Sequence, residues 1–74
     1  YYKQLLKSQQ NCCAICNTEF TSQFNTHIDH DHETNQVRGL LCNNCNRGIG
    51  FLQDNPKVIL NAYNYLSYKL KKAS

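Results

Sequence analysis

The chain has 74 residues, a formal net charge of +3 and a hydrophobic fraction of 41%. This length fits one small domain in which a hydrophobic core alone is rarely sufficient, so we expect a staple of some kind. The charge is too mild to indicate nucleic-acid binding by itself. The sequence has no apolar run long enough for a membrane span or a signal peptide, so it predicts no membrane partner.

The predicted elements begin with a short amphipathic helix, because Tyr2, Leu5 and Leu6 are the apolar residues of an otherwise polar opening segment. NCCAIC follows as a turn, and the polar stretch 17–26 indicates an irregular loop. Next come two short extended stretches, THIDH and QVRGL, separated by DHETN. This pattern predicts a β-hairpin with an Asn-containing loop.

The rest of the chain is predicted to be helical. LCNNCNRGIGFLQ indicates a turn at the cysteines that continues into a short helix, although glycine is unfavourable inside one. A further helix starts at Asn55-Pro56, with Asn as the N-cap and Pro at the first helical position. We expect this helix, over about 56–71, to pack on the first one through apolar residues at helical spacing, namely Ile59, Ala62, Tyr63, Leu66 and Leu70.

Five cysteines in a chain without an export signal favour metal binding in a reducing compartment over a disulfide scaffold. Four of them form two Cys-x-x-Cys pairs 25 residues apart, a spacing that supplies the four tetrahedral ligands of structural zinc: Cys13, Cys16, Cys42 and Cys45. Zinc would couple about 10 kcal/mol of apparent binding energy to folding. Two redox dithiols or two disulfides are the alternative, and Cys12 is interpreted as the leftover thiol.

All three histidines of the chain lie in HIDHDH, at positions 27–32. In an extended strand, side chains alternate between faces. The side chains of His27, Asp29 and Asp31 would lie on one side, and those of His30 and His32 on the other. One four-ligand metal cage from these consecutive residues is therefore awkward, and a division into a metal ligand and a proton-transfer group fits better.

A hard divalent ion such as Mg²⁺ needs more than one oxygen ligand, and the amide of Asn46, next to Cys45, could join Asp29. A neutral histidine can act as general base on a water molecule. With Arg38 nearby, this is the equipment for phosphodiester hydrolysis. The alternatives are a second zinc site or a solvated loop, and Arg38 taken alone is typical of a surface or ion-pair residue.

Taken together, Cys-x-x-Cys, H-x-DHDH and VRGLLC-x-x-CN resemble the phage recombination endonuclease VII family of HNH, or His-Me finger (ββα-metal), nucleases. The similar stretch runs from about 9 to 50. The resemblance implies an α+β fold: a small zinc-stapled ββα-metal finger, with a short β-hairpin and helices at both ends. The domain would be 1–74, with a finger core over about 9–54.

The resemblance also implies residue roles. Asp29 and Asn46 would bind the catalytic Mg²⁺ or Mn²⁺, and His30 would be the general base. His32 would support catalysis, and His27 and Arg38 would contact the substrate phosphate. The four paired cysteines would bind the structural zinc.

The implied function is a metal-dependent DNA endonuclease, the catalytic module of a recombination, nicking or restriction nuclease. Its partner would be DNA, with a homodimer or a fusion to a targeting domain as further expectations. The implied location is cytoplasmic, inside a bacterial or phage-infected cell. The competing hypothesis is a non-catalytic zinc module that binds DNA or a protein partner, because the cysteine pairs alone support it equally well.

Overall fold

The computed structural model describes residues 1–73, and the side chains of residues 1–67. Within these residues, two antiparallel strands form a sheet and three α-helices accompany it, which confirms the predicted α+β class. A short 3-10 turn, Gln23–Asn25, precedes the first strand. In chain order the elements are α1 (Tyr2–Ser8), β1 (Thr26–His30), β2 (Val37–Cys42), α2 (Asn43–Phe51) and α3 (Pro56–Ala73).

The hairpin formed by β1 and β2 is the one predicted from THIDH and QVRGL. Its register pairs His27 with Leu41 and Asp29 with Gly39, then shifts so that His30 pairs with Val37. The shift leaves Arg38 as the extra residue of a β-bulge. Bulges re-aim side chains, so Arg38 can reach across to β1.

The loop of this hairpin is closed by Asp31. Its Oδ1 accepts hydrogen bonds from the backbone N–H groups of Glu33 and Thr34, at 2.8 and 3.2 Å. These two bonds hold the pKa of the Asp31 carboxyl below its ordinary value. The expectation that residues 31 and 32 continue the alternation of β1 is therefore wrong, because β1 ends at His30 and Asp31 begins the turn.

Different helices cover the two faces of the hairpin. Residues opposite each other in the register share a face, so Asp29 and Leu41 lie on one side, where Ile49 of α2 joins them in lining a pocket. Leu40 points to the other side and is 0% exposed. Its backbone N–H donates to the side chain of Gln9, immediately after α1, at 2.9 Å.

The hydrophobic core is small. Its buried residues are Cys13, Phe20, Leu40 and Leu41. The apolar residues of the predicted amphipathic helix α1 pack against it, and so does part of α2; the contributing residues are Tyr2, Leu5, Leu6, Cys42, Cys45 and Ile49. Two of the four buried residues and two of the six packed around them come from the zinc-type cysteine pairs or their immediate neighbours, so the core and the cysteine cluster are one structure.

The last helix begins where the sequence predicts. Asn55 Oδ1 accepts hydrogen bonds from the backbone N–H groups of Lys57 and Val58, at 2.9 and 3.4 Å, as an N-cap does. The preceding residues Gln53 and Asp54 have φ angles of 61° and 52°, so a left-handed turn separates α3 from α2.

The expectation that α3 packs on α1 is not met by the side chains that the structure describes. Tyr63 and Leu66 are each 65% exposed, and the core contains no described residue of α3. The sheet packs mainly against α1 and α2, and these two helices supply the helical residues around the core. The side chain of Leu70 lies outside the described residues. Of the helices in residues 1–73, none is apolar enough over sufficient length to cross a membrane.

Candidate metal centre and active site

Four cysteine sulfurs converge at one end of the hairpin. Two of them come from the turn after α1, one from the last residue of β2 and one from the first turn of α2, and all four lie within 4.8 Å of one another: Cys13, Cys16, Cys42 and Cys45. The sulfurs of Cys16 and Cys42 are 3.7 Å apart. A tetrahedron with zinc–sulfur bonds of about 2.3 Å has edges of about 3.8 Å, so the donor set fits zinc in both chemistry and size.

Backbone N–H groups surround these sulfurs. The N–H of Ile15 donates to Cys13 Sγ, and the N–H of Cys45 donates to Cys42 Sγ, each at 3.4 Å. Each Cys-x-x-Cys pair therefore uses its own turn to direct a donor at its first sulfur. Such bonds favour the thiolate, which is the form that binds a metal.

The pKa values of two thiols in the cluster, those of Cys13 and Cys45, are shifted in opposite directions. Burial of Cys13 raises the pKa of its thiol, but hydrogen bonds from Cys42, Cys16 and Ile15 outweigh burial and lower the pKa to about 6. At Cys45, burial first and the neighbouring thiols second raise the pKa to about 12. One thiolate forms readily, whereas four side by side require a positive charge between them, and a divalent cation supplies it.

All five cysteines are free in the structure, so the alternative of two disulfides is not what the geometry presents. Cys12 lies outside the four-sulfur set, and its thiol donates to the carbonyl of Gln10 at 3.2 Å. Among the described side chains, the histidine and aspartate block gathers no comparable set of three metal-binding groups. The second-zinc alternative therefore has no matching donor set in this part of the chain.

Asp29, the predicted ligand of the catalytic ion, is bound by Arg38. Arg38 Nε donates to Asp29 Oδ2 at 2.6 Å and Nη2 donates to Oδ1 at 3.0 Å, a bidentate pair. These hydrogen bonds raise the pKa of the Arg38 guanidinium above its ordinary value. The Asp29 side chain is only 13% exposed. Arg38, expected to contact a substrate phosphate, is thus held at the predicted metal ligand.

Asp54 is a residue of this site that the sequence did not indicate. Its Oδ2 lies 3.1 Å from His32 Nε2 and 3.7 Å from Arg38 Nη2. Asp54 follows the last residue of the hairpin, Cys42, by twelve positions, and no motif spacing connects it to His32 or Arg38. Its backbone N–H donates to the carbonyl of Ile49 at 2.7 Å, and the left-handed turn at the end of α2 turns its carboxylate toward the hairpin.

His27 is held by α2 and not by the Asp29 group. Its Nε2 is hydrogen-bonded to Asn43 Oδ1, and Asn43 Nδ2 in turn donates to Asn25 Oδ1 at 3.0 Å. This chain of contacts fixes the imidazole between β1 and the first residue of α2. In this structure His27 therefore joins the hairpin to α2 at Asn43, which follows Cys42 of the cysteine cluster in the chain.

The remaining two predicted site residues, His30 and Asn46, form no side-chain hydrogen bond or ion pair with the others within the described residues. His30 ends β1 with an exposed side chain, for which the described residues offer no hydrogen bond or ion pair. Asn46 is half-buried on α2, the helix that packs against both strands. Its side chain makes no hydrogen bond within the described residues.

The two residues expected to bind the catalytic ion, Asp29 and Asn46, carry a carboxylate and an amide, which are oxygen ligands that Mg²⁺ and Mn²⁺ accept. Both oxygens of Asp29 are engaged by Arg38, however. A cation can use this carboxylate only if the guanidinium gives up at least one of its bonds.

A hairpin followed by a helix, fastened by four cysteines, defines a small zinc-type α+β domain with an acidic and histidine-rich strand. The model of the recombination endonuclease VII family matches residues 1–68, and the chain belongs to this family.

Two relatives are phage proteins. The chain is 36% identical over 66 residues to the Gene 59 protein of Mycobacterium phage L5, and equally to the Gene 59 protein of Mycobacterium phage D29. Each alignment covers 88% of this chain and 40% of the relative. The chain thus spans about two fifths of the length of these relatives.

Proposed function

We propose that this chain is a metal-dependent DNA endonuclease of the HNH, or ββα-metal, type, with a structural zinc and a separate catalytic Mg²⁺ or Mn²⁺. The observation that carries the proposal is the order β1–β2–α2 with four clustered cysteines at its base, in a member of the endonuclease VII family. The zinc ligands fasten the turn after α1 to the end of β2 and the start of α2, and β1, which carries Asp29 and His30, is held beside them by its pairing with β2.

Asp29 and Asn46 hold the catalytic ion in this proposal. When bound, the ion supplies positive charge to the oxygen that leaves phosphorus. His30, exposed at the end of β1, takes the proton from the attacking water. The water oxygen forms a bond to phosphorus as the bond to the 3′-oxygen breaks, and the 3′-oxygen takes a proton from solvent water. The products are a 5′-phosphate and a 3′-hydroxyl.

The other polar residues orient this reaction. His27, hydrogen-bonded to Asn43, fixes the position of β1 relative to α2, so that the surface of β1 that faces the phosphate stays in place. His32 lies on the same side as Asp54. Arg38 contacts the substrate phosphate when a cation has taken its place on Asp29 and DNA is bound. The finger core over about 9–54 and the helix after it form one domain.

DNA is the proposed substrate, in a cytoplasmic setting such as a phage-infected bacterium. In this proposal, a homodimer or a fusion to a targeting region chooses the DNA site. Recombination, nicking and restriction nucleases can use the same cleavage chemistry. The proposal therefore assigns the cleavage reaction to this chain and leaves the biological role open among these three.

One observation favours the competing function. Arg38 neutralises Asp29 with two hydrogen bonds, and a non-catalytic zinc module binding DNA or a protein partner would keep such a pair permanently. The difference between the two functions is whether a cation can displace Arg38. Cleavage decides between them.

The experiment is nicking of supercoiled plasmid by the zinc-loaded chain, with and without added Mg²⁺ or Mn²⁺. We expect nicking that requires the added ion and that falls by at least about a hundredfold in His30→Ala, the typical contribution of a general base. Ile28→Ala is the matched control, because Ile28 is also an exposed residue of β1 but carries no titratable group.

Equal cleavage by His30→Ala and the parent would refute the base assignment. No cleavage by the folded, zinc-loaded chain, and none when it is extended to the length of its phage relatives, would favour the binding module. Zinc content and circular dichroism of each variant show that a loss of activity is not a loss of fold.

A further inference from the structure

Arg38 stands between two carboxylates from different parts of the chain. Asp29 on β1 takes two of its hydrogen bonds, at 2.6 and 3.0 Å, and Asp54 after α2 lies 3.7 Å from Nη2. The Asp29 side chain is 13% exposed and that of Asp54 is 22% exposed, so both carboxylates are largely withdrawn from water. One guanidinium therefore serves two acidic groups.

This arrangement creates a competition at Asp29. In the proposed function a divalent cation binds this carboxylate, yet both of its oxygens are hydrogen-bonded to Arg38. The cation must displace a positively charged group from a partly buried site. Without a second acceptor, the guanidinium would give up its ion pair at the moment when a positive ion arrives beside it.

We propose that Asp54 is a positioning residue that accepts the Arg38 guanidinium when a divalent cation binds Asp29. The inference rests on the proposed function, because it assumes a cation site at Asp29. In this arrangement Arg38 turns from one carboxylate to another and remains paired. Asp54 thereby favours cation binding without touching the cation.

The position of Asp54 suits this role. Its backbone N–H is bonded to the carbonyl of Ile49 on α2, at 2.7 Å, so its carboxylate moves with the helix that also carries Asn46. Its Oδ2 is already within 4 Å of Nη2, so a change of side-chain rotamer is sufficient for Arg38 to form a direct bond. The β-bulge at Arg38 gives this side chain no ladder partner whose packing would resist the turn.

The test is the affinity of the zinc-loaded chain for Mn²⁺, measured by electron paramagnetic resonance of the free ion in the absence of DNA. We expect Asp54→Asn to weaken Mn²⁺ binding roughly threefold to fivefold, the upper part of the range for partly exposed ion pairs. Glu33→Gln is the charge-matched control, since Glu33 lines the same cleft but forms no ion pair with Arg38. It should change the affinity by less than about twofold.

A double-mutant cycle separates the proposed role from simple charge attraction. Arg38→Gln removes the competing group and should tighten Mn²⁺ binding. In that background Asp54→Asn should have little further effect, because no guanidinium remains to be accepted. If Asp54→Asn weakens Mn²⁺ binding equally in both backgrounds, Asp54 acts on the cation itself and the proposal is wrong. No effect of Asp54→Asn in the parent chain also overturns it.

Two further variants keep the result interpretable. Asp54→Glu retains a carboxylate and should restore most of the affinity that Asp54→Asn loses. Arg38→Lys replaces Arg38→Gln if the latter does not fold, because one ammonium cannot hold Asp29 bidentately, and the Asp54→Asn effect should shrink in it too. Asp29→Asn tests the proposed function separately: if it leaves Mn²⁺ binding unchanged, the cation site is elsewhere, whatever Asp54 does.

Discussion

At the scale of single residues, Gln9 completes the edge of β2 that no strand occupies. Its Nε2 donates to the carbonyls of Cys12 and Leu40, at 2.8 and 3.0 Å, and its Oε1 accepts the N–H of Leu40 at 2.9 Å. The side-chain amide thus pairs with Leu40 as the peptide group of a third strand would. It connects the end of α1 to the first cysteine turn and to β2.

Gly39 allows this close approach. A methyl group at residue 39 would lie 3.0 Å from Gln9 Oε1, which is tighter than ordinary van der Waals contact. We therefore predict that Gly39→Ala destabilises the fold by about 1–3 kcal/mol, through displacement of an amide with three partly buried hydrogen bonds. The measurement is the free energy of unfolding from urea titration of the zinc-loaded chain.

Gly48→Ala is the control for this substitution. Gly48 lies inside α2 and an added methyl group would meet no atom within 4 Å, so alanine should raise the unfolding free energy by about 0.5–1 kcal/mol. The explanation fails if Gly39→Ala and Gly48→Ala shift stability in the same direction. The Gln9→Ala background should remove most of the Gly39→Ala penalty.

At the scale of elements, the sequence predicted what forms but not always what each element contacts. The hairpin, α2 and the start of α3 were predictable because alternation, Cys-x-x-Cys turns and an Asn-Pro cap are local signals. The contact between Asp54 and Arg38 was not, because it depends on a left-handed turn after α2 and a bulge in β2. Neither the turn nor the bulge has a sequence spacing from which the contact between Asp54 and Arg38 could be predicted.

The packing of α3 was the other error, and its cause is also physical. Apolar residues at helical spacing predict one apolar face, but they do not say which surface of the molecule is free to cover it. Tyrosine carries a polar hydroxyl and can remain exposed at little cost. In residues 1–67 the small core is filled by α1, α2 and the hairpin.

This difference leads to a prediction for α3. Tyr63→Ala should change the unfolding free energy by less than about 0.5 kcal/mol, because Tyr63 is 65% exposed. Leu40→Ala, at a site that is 0% exposed, should cost about 2–5 kcal/mol. Urea titration of both variants checks it. A loss of more than about 1 kcal/mol in Tyr63→Ala would mean that α3 covers part of the core after all.

At the scale of the whole molecule, the fold and the proposed chemistry depend on different metal sites. Among residues 1–67, four buried residues form the core, a small number for stabilising a domain of this size on hydrophobic burial alone. The cysteine cluster joins the turn after α1, the end of β2 and the start of α2. Zinc there would fix β2 relative to α2, and β1, with Asp29 and His30, follows β2 through the strand pairing.

The most direct test of this account is the zinc content of Cys13→Ser beside Cys12→Ser, read together with circular dichroism and Mg²⁺-dependent plasmid nicking. Cys13 belongs to the four-sulfur set, whereas its neighbour Cys12 lies outside it. We predict that Cys13→Ser loses zinc, the fold and nicking activity together. Cys12→Ser should retain one zinc per chain, the fold and nicking activity. A Cys13→Ser chain that folds and nicks like the parent would contradict the account, because the staple would then not be what positions the site.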